Sequence, residues 1–359
     1  MNIKYTGAIL VVFLCFPFCA SAQQSVSDLG FSGQFFFSYE RLFEDQAVNN
    51  VFAMRRGYIT FRKDLSPYAQ IRFTQDVTVD QEGDGEGDIE LRLKYALVKF
   101  RANSWGIFTK PSVEIGVVHR PWLDFEQGVN DYRAQGSMFL DEKRILSSAD
   151  YGVTFSTLFG GEMDEEYQER VQSSFAGRYG SLSMGIYNGG GYSSLEENNN
   201  KLLEGRLSIR PLPDILPGFQ TSFTGALGKG NIPDSPEFWL ASSALSFESE
   251  KFITLLQGFY STGDAAGRFV TPMLEPLDLM GWSTFTELKP FRFPVSFIFR
   301  ADEFLNRDSG IWRERSGVAG IAYRFKNSSK ILVDVNQTWT NGVSVSTFRR
   351  LEIITEIRF

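Results

Sequence analysis

The sequence predicts an all-β protein, a transmembrane antiparallel β-barrel of about sixteen strands, on two observations. Aromatic residues make up 15 % of the 359 residues, yet the mean hydropathy is only −0.16. Apolar and polar side chains also alternate with a period of two along many short segments. Strands that show one face to lipid and the other to a watery lumen produce both features. After residue 22 no apolar run reaches the roughly 18 residues that a membrane-spanning helix needs, which excludes a helical transporter.

The first 22 residues have the features of a secretory signal peptide. Lys4 supplies the basic start, residues 6–18 are apolar, and residues 20–22 read Ala-Ser-Ala, a small-x-small cleavage pattern. Both cysteines of the chain lie inside this segment, so the exported protein is predicted to have no disulfide. Residues 23–30 form a short lead, and residues 31–359 are assigned to the barrel.

Alternation begins in the first strand, where one face is aromatic and the other is polar except for Phe36. The same pattern recurs along the chain, and the strands are predicted at 31–41, 51–62, 67–78, 89–101, 111–120, 150–159, 179–188, 201–211, 218–227, 236–247, 251–261, 275–288, 293–301, 311–325, 330–340 and 346–359. Fourteen and eighteen strands are the alternatives. Residues 160–179 are either one long connection with a helix near 165–170, or a hairpin that raises the count to eighteen.

The connections alternate in length, as they do in bacterial outer-membrane barrels with short periplasmic turns and long extracellular loops. Short connections are predicted at 63–66, 247–251 and 326–329, and long ones at 79–88, 121–148, 189–200 and 261–274. The chain also ends on an aromatic residue, Phe359, in an amphipathic strand. This ending resembles the C-terminal signature of outer-membrane barrels.

The lumen of such a barrel holds water, so function is expected on side chains that point inward. The polar faces of strands two to four carry a basic column: Arg56, Arg62, Arg72, Arg92 and Lys94. The long segment 121–148 is rich in acids, among them Asp124 and Glu126, and also carries Arg133. If it folds inward, acids face the basic wall and filter solutes by size and charge. Arg120 completes the predicted pore-lining set, and simple solvation is the alternative for any single arginine.

Residues 80–88 approximate a calcium-binding loop, with candidate ligands Asp80, Glu82, Asp84 and Asp88. The twelfth position is Leu91 rather than an acid, so the full motif is absent and a flexible acidic loop is the favoured interpretation. No other cofactor is predicted. A formal net charge of −7 argues against a nucleic-acid partner.

Enzymatic activity is not expected. The chain has one histidine, His119, and no recognisable nucleophile accompanies it. One histidine and no exported cysteine cannot build a His/Cys metal cluster. Glycines 189–191 lack the strand-to-helix setting of a phosphate-binding loop, and are interpreted as a turn.

Several short motifs, taken in order, resemble the phosphate-selective porin O and P family. They are Val113-Glu114-Ile115-Gly116 before Pro121, Asp150-Tyr151-Gly152-Val153, Gly185-Ile186-Tyr187-Asn188-Gly189-Gly190, Asn200-Lys201, Gly205-Arg206-Leu207 and Pro211. The resemblance implies a sixteen-stranded, often trimeric channel in the outer membrane of Gram-negative bacteria, with the third outside loop, here 121–148, folded into the pore. Phosphate selectivity is not carried over, because this chain is acidic and offers only the basic column.

The expected function is a porin, a passive diffusion channel for small hydrophilic or anionic solutes across the bacterial outer membrane. The expected partners are outer-membrane lipid, those solutes and two further copies in a homotrimer. One alternative is a structural or partner-binding barrel within a cell-surface complex. A second is a hydrolase embedded in the barrel and centred on His119.

Overall fold

The computed structural model describes residues 29–44, 47–80, 85–290, 292–307, 311–341 and 345–359. The signal segment 1–22, most of the lead 23–30, and the candidate calcium ligands Glu82 and Asp84 lie outside these residues. The strands within them are β1 (Gly30–Glu44), β2 (Ala47–Ser66), β3 (Ala69–Val79), β4 (Ile89–Arg101), β5 (Phe108–His119), β6 (Ala149–Phe159), β7 (Gly180–Tyr187), β8 (Leu202–Ile209), β9 (Phe219–Lys229), β10 (Glu237–Glu248), β11 (Phe252–Thr262), β12 (Asp278–Leu288), β13 (Val295–Asn306), β14 (Ile311–Arg324), β15 (Lys330–Asn341) and β16 (Val345–Arg358). Three short helices are α1 (Pro121–Val129), α2 (Phe139–Glu142) and α3 (Glu165–Arg170).

The strands form one closed antiparallel barrel, in which each strand pairs with the next and β1 pairs with β16. The prediction of sixteen strands is confirmed, and the alternatives of fourteen and eighteen are wrong. Residues 160–179 hold α3 rather than a further hairpin. No helix in the described part of the chain is long and apolar enough to cross a bilayer.

The alternation seen in the sequence sorts side chains between the two sides of the wall. Along β10 every second residue is buried. Ser242 and Ser246 are buried, whereas Trp239 and Leu245 are exposed on the outside. Apolar side chains therefore cover the surface that faces lipid, and polar ones line the interior.

The C-terminal residue helps to close the barrel. The backbone N–H of Gly33 donates to the carbonyl of Phe359 at 2.9 Å, and the N–H of Phe359 donates back at 3.1 Å. The Phe359 ring lies over Gly33, where a Cβ atom would come within 2.3 Å of it. Only glycine leaves room for this ring, so the aromatic end of β16 is packed against β1.

The two ends of the barrel differ. The turn end holds the start of β1, the end of β16 and short connections such as 67–68, 249–251 and 325–329. The loop end holds longer connections, including 120–148, 188–201 and 263–277. Residues 160–179, referred to below as the turn insert, are the long exception at the turn end.

Candidate functional site

Residues 121–148, referred to below as the lumen segment, contact widely separated parts of the wall. Arg55 on β2 donates to the carbonyl of Ala134 at 2.7 Å. Gln135 donates to Asp334 on β15 at 3.0 Å. Arg300 on β13 donates to the carbonyl of Ser137 at 2.7 Å. A segment that leaves β5 and reaches β2, β13 and β15 crosses the interior of the barrel.

Apolar side chains drive the lumen segment against one half of the interior. Trp122 and Leu123 of α1 are buried in the same cluster as Phe139 of α2. The Phe139 ring packs against Phe259 of β11 with centroids 5.6 Å apart. Trp122 also donates its indole N–H to Gln257 of β11 at 3.2 Å. Burial of these large side chains fills the half of the lumen next to β8–β13.

Arg120 fastens the start of the lumen segment and does not face the passage. Its side chain is completely buried and donates to Glu204 at 2.5 Å and to Asp150 at 3.1 Å. Glu204 also accepts from the backbone N–H of Trp122 at 3.1 Å. The predicted pore-lining role of Arg120 is therefore corrected to an anchoring one. The two carboxylates offset the cost of desolvating this buried guanidinium.

Asp131 fastens the middle of the segment to the turn side of the wall. Its carboxylate lies 2.8 Å from Lys330, 2.9 Å from Arg324 and 2.6 Å from Arg358. Partial burial by itself raises the pKa of this carboxyl. The three cations outweigh burial, Lys330 most strongly, and hold the Asp131 pKa well below its ordinary range.

Glu126, predicted to line the pore, is instead enclosed where α1 packs on the wall. It is 2 % exposed. One carboxyl oxygen accepts from the backbone N–H of Phe139 at 3.2 Å and from Gln257 at 2.6 Å. Burial raises the pKa of Glu126 to about 7, although these two hydrogen bonds oppose the shift. An acid in this position belongs to the packing of the lumen segment rather than to its aqueous face.

The opposite wall, β2–β4, carries the basic column. Arg56 and Arg92 lie on the loop side and share the buried Asp76, at 3.4 and 3.1 Å. Arg62 and Arg72 lie on the turn side. The side chain of Arg62 is exposed and makes no hydrogen bond or ion pair with the residues that the structure describes.

A β-bulge sets the direction of Lys94. In the β3–β4 ladder Thr74 pairs with Tyr95 and Gln75 pairs with Leu93, so Lys94 is an extra residue. A bulge allows two successive side chains to point to the same side of a sheet. Lys94 and Tyr95 both point inward, where both are buried. Strict alternation would have sent Tyr95 to the lipid.

Two cations, one from the wall and one from the lumen segment, converge on the phenol of Tyr58. Lys94 is 1 % exposed and donates to the hydroxyl of Tyr58 at 3.4 Å. Arg133 of the lumen segment donates to the same oxygen at 2.8 Å. Both cations also lie near the ring face, 4.7 and 5.1 Å from its centroid. Among the described residues neither cation has a carboxylate within ion-pair distance.

Cavities lie on both sides of this contact. A cavity of about 360 Å³ is lined by Arg62, Arg72 and Asp124 together with Tyr58, Lys94 and Arg133. A second, of about 130 Å³, is lined by Arg55, Arg56, Tyr58 and Arg133. Tyr58 and Arg133 belong to both linings, so their contact divides the two spaces. The Tyr58–Lys94–Arg133 group is referred to below as the constriction.

Asp124 is the acid of α1 that reaches this space. It lines the 360 Å³ cavity, and its carboxylate has no ion pair with the described residues. The sequence predicted an acidic segment facing a basic wall. The segment instead brings Arg133 to the passage as well, while Asp131, which also lines this cavity, is paired with Lys330, Arg324 and Arg358.

His119 is locked in place on β5. Arg72 lies 2.8 Å from its Nε2 atom, and Glu114 lies 2.7 Å from its Nδ1 atom. A guanidinium has only donors, so Nε2 accepts from Arg72 and Nδ1–H donates to Glu114. The ring also stacks on Tyr95 at 4.1 Å. With both ring nitrogens engaged, this histidine has no free atom to take a proton from a nucleophile, which disfavours the hydrolase alternative.

The candidate calcium loop is only partly within the described residues. The backbone N–H of Asp80 donates to the carbonyl of Asp88 at 2.8 Å and closes the loop. No group of three potential metal ligands occurs in the described part of the chain. Calcium binding stays a prediction.

Neither a protein-family model nor a curated protein matches the chain. Solved structures do. The outer membrane channel DcaP of Acinetobacter baumannii is 9 % identical with a TM-score of 0.59, over 94 % of this chain and 99 % of that one. An anion-selective porin from Comamonas acidovorans is also 9 % identical with a TM-score of 0.59, over 92 % and 99 %. The trimer form of OmpT, an outer membrane protein of Vibrio cholerae, is 8 % identical with a TM-score of 0.57, over 92 % and 99 %.

These similarities establish the fold. The chain has the porin type of β-barrel along almost its whole length, as the sequence predicted. The proteins from Acinetobacter and Vibrio are both described as outer-membrane proteins, which agrees with the location predicted from the sequence. The narrower resemblance to the phosphate-selective O and P family stays an expectation.

Proposed function

We propose that the chain is a porin of the bacterial outer membrane, a passive and non-enzymatic diffusion channel with a preference for small hydrophilic anions. One observation carries this proposal. At the constriction, Lys94 and Arg133 share the neutral hydroxyl of Tyr58 rather than a carboxylate. The nearby Asp141 attracts both cations only at longer range than an ion pair, so positive charge is left for a passing solute.

In a narrow passage, the electric field of fixed charges acts strongly on a solute. Low-dielectric walls concentrate the field of uncompensated charges and raise the local concentration of counter-ions. Rings of basic side chains accordingly favour anions. The ring faces of Tyr58 and Tyr95 lie within 6 Å of Lys94 and lessen the cost of burying its ammonium without cancelling its charge.

The rest of the basic column extends this field along the passage. Arg56 and Arg92 precede the constriction on the loop side, and Arg72 and Arg62 follow it on the turn side. Because Arg56 and Arg92 are paired with Asp76 and Glu90, the remaining cations of the column without a carboxylate partner among the described residues are Arg72 and Arg62, on the turn side of the constriction. Asp124 opposes this field in the same cavity, so we expect a moderate preference for anions rather than the exclusion of cations.

The structural neighbours support this proposal in part. One of them is named an anion-selective porin and another an outer membrane channel. A third was solved in a trimer form, which supports the proposal that this chain also forms a homotrimer in outer-membrane lipid.

The proposal is tested by planar-bilayer recording of the purified protein. We expect stepwise conductance, and in a KCl gradient a reversal potential of the sign that marks anion preference. The variant R72E/R92E should move that potential toward cation preference, because it reverses two charges of the column. The matched control R178E/K326E reverses two charges at the exposed turn end and should leave it nearly unchanged. Silent bilayers with folded protein, or equal shifts in both variants, would contradict the proposal.

A further inference from the structure

The turn insert, residues 160–179, is fastened to the wall at the turn end. Asp164 caps α3 by accepting from the backbone N–H of Tyr167 at 2.7 Å. Arg210, completely buried after β8, donates to the hydroxyl of Tyr167 at 3.0 Å and to the carbonyl of Gly177 at 3.2 Å. A small apolar cluster of Met163, Tyr167 and Ala176 packs beneath the helix. The insert is thus a folded element with a fixed base.

From this base the insert reaches the last turn of α1. Gln172 donates its side-chain amide to the carbonyl of Gly128 and, at 3.0 Å, to Glu248 at the end of β10. The last carbonyls of a helix have no partner within the helix. Gln172 satisfies one of them and ties it to the barrel wall.

A second contact joins the insert to the middle of α1. The guanidinium of Arg206 contacts two rings, 4.7 Å from the centroid of Phe125 in α1 and 4.6 Å from that of Phe175 in the insert. The two rings are 5.7 Å apart. Arg206 also donates to the carbonyl of Pro121 at 3.1 Å. Arg206 therefore contacts both the helix and the insert and holds them together.

The same turn of α1 leads to the constriction. Gln127 precedes Gly128 and accepts a hydrogen bond from Arg133 at 3.0 Å. Arg133 in turn donates to Tyr58. Gln127 also lines the cavities of about 360, 410 and 880 Å³ that surround the helix. A displacement of this turn would move both Arg133 and the walls of these cavities.

We propose that the turn insert positions the constriction from the opposite end of the barrel, with Gln172 and Phe175 as its positioning residues. The insert holds the last turn of α1, and that turn holds Arg133 through Gln127. This inference rests on the porin function proposed above for its electrical readout. Its contact geometry is tested without any current.

A cross-link tests the contact first. A Cβ atom on Gly128 would lie 3.3 Å from the Cβ atom of Ser174, close to the roughly 3.5–4.5 Å of disulfides. The exported chain is predicted to lack other cysteines, so G128C/S174C introduces a single pair. We expect this pair to oxidise in folded protein, as read by mass spectrometry of a proteolytic digest. A folded barrel in which the two thiols stay free would overturn the proposal.

The functional arm adds Q172A/F175A to the cysteine pair. Under reducing conditions we expect the fraction of time spent in altered conductance levels to rise roughly tenfold, because a hydrogen bond and an aromatic contact are lost. Oxidation should restore the parent behaviour, since the disulfide replaces the lost contacts. A merely structural role in barrel stability would not be rescued in this way.

The control E165A/E166A changes two exposed residues of α3 that line none of the cavities around α1 and should behave as the parent does. The proposal would be overturned if Q172A/F175A spent no more time in altered conductance levels than the parent, or if oxidation failed to reduce that time. A silent parent channel would instead count against the porin function, and the cross-link would still decide whether the insert holds α1.

Discussion

Two groups of basic residues on opposite sides of the lumen differ in the partners of their charges. Around Arg120, next to β6 and β8, the guanidinium is enclosed by Asp150 and Glu204. On the other side, at β2 and β4, Lys94 and Arg133 donate to the phenol of Tyr58 and lie near aromatic ring faces. A buried cation with matched carboxylates fixes the lumen segment and offers nothing to a solute. A cation whose partner is neutral keeps its field, and it can act on a solute where it also lines a cavity, as Lys94 and Arg133 do.

The largest expected effect follows from breaking the anchor. In R120A two buried carboxylates lose their cation, and removal of one member of a buried ion pair costs about 3–5 kcal/mol. We expect the lumen segment to loosen, seen as a lower temperature for the loss of the folded, fast-migrating form on gels. Faster proteolysis within residues 121–148 should accompany it.

The matched control is R178A, whose ion pair with Asp214 is solvent-exposed at the turn end. Exposed pairs contribute little to stability, so this variant should behave as the parent does. Equal destabilisation by R120A and R178A would show that the two regions do not differ as described.

A smaller effect is expected in the pH dependence of stability. On the anchored side of the lumen, burial raises the pKa of the Glu126 carboxyl to about 7 from its ordinary value of 4.5. The folded state therefore binds this proton more tightly than the unfolded state. The stabilisation is fully present below about pH 4.5 and is lost as pH rises through about 7, and it amounts to about 3 kcal/mol at most.

The measurement is the unfolding temperature of the parent and of E126Q at about pH 5 and about pH 8. The glutamine side chain keeps an acceptor for Phe139 and has no charge to desolvate. We expect the parent to lose more stability than E126Q between the two pH values. An identical pH dependence in E126Q, with E165Q as the surface control, would remove Glu126 from the account.

Most of the fold could be predicted from the sequence because a barrel repeats one simple physical rule. Each strand must alternate between lipid and water, so β4 was predicted at 89–101 and is observed at Ile89–Arg101. The ends of strands next to the loops were less well predicted. Backbone hydrogen bonds extend a strand past the point where apolar and polar side chains stop alternating. β2, for example, runs from Ala47 to Ser66, well beyond the predicted 51–62.

The candidate site was predicted only in outline. The basic column follows from alternation alone. The partners of its charges do not, since Glu204 is 84 residues from Arg120 and Asp76 is 20 residues from Arg56 along the chain. Sequence reasoning also did not identify Tyr58 and Tyr95 as parts of the constriction. The one available signal was the run of polar and aromatic residues at Lys94-Tyr95, where a bulge breaks the alternation.

In the function proposed above, cations without an ion-pair partner at the constriction set the preference for anions. The most direct measurement is the reversal potential of K94Q/R133Q in a KCl gradient, compared with the parent and with K201Q/K326Q, which removes two exposed lysines that line none of the cavities described above. We expect K94Q/R133Q to lose most of the anion preference while K201Q/K326Q retains it. A K94Q/R133Q channel that conducts and keeps the reversal potential of the parent would contradict the account.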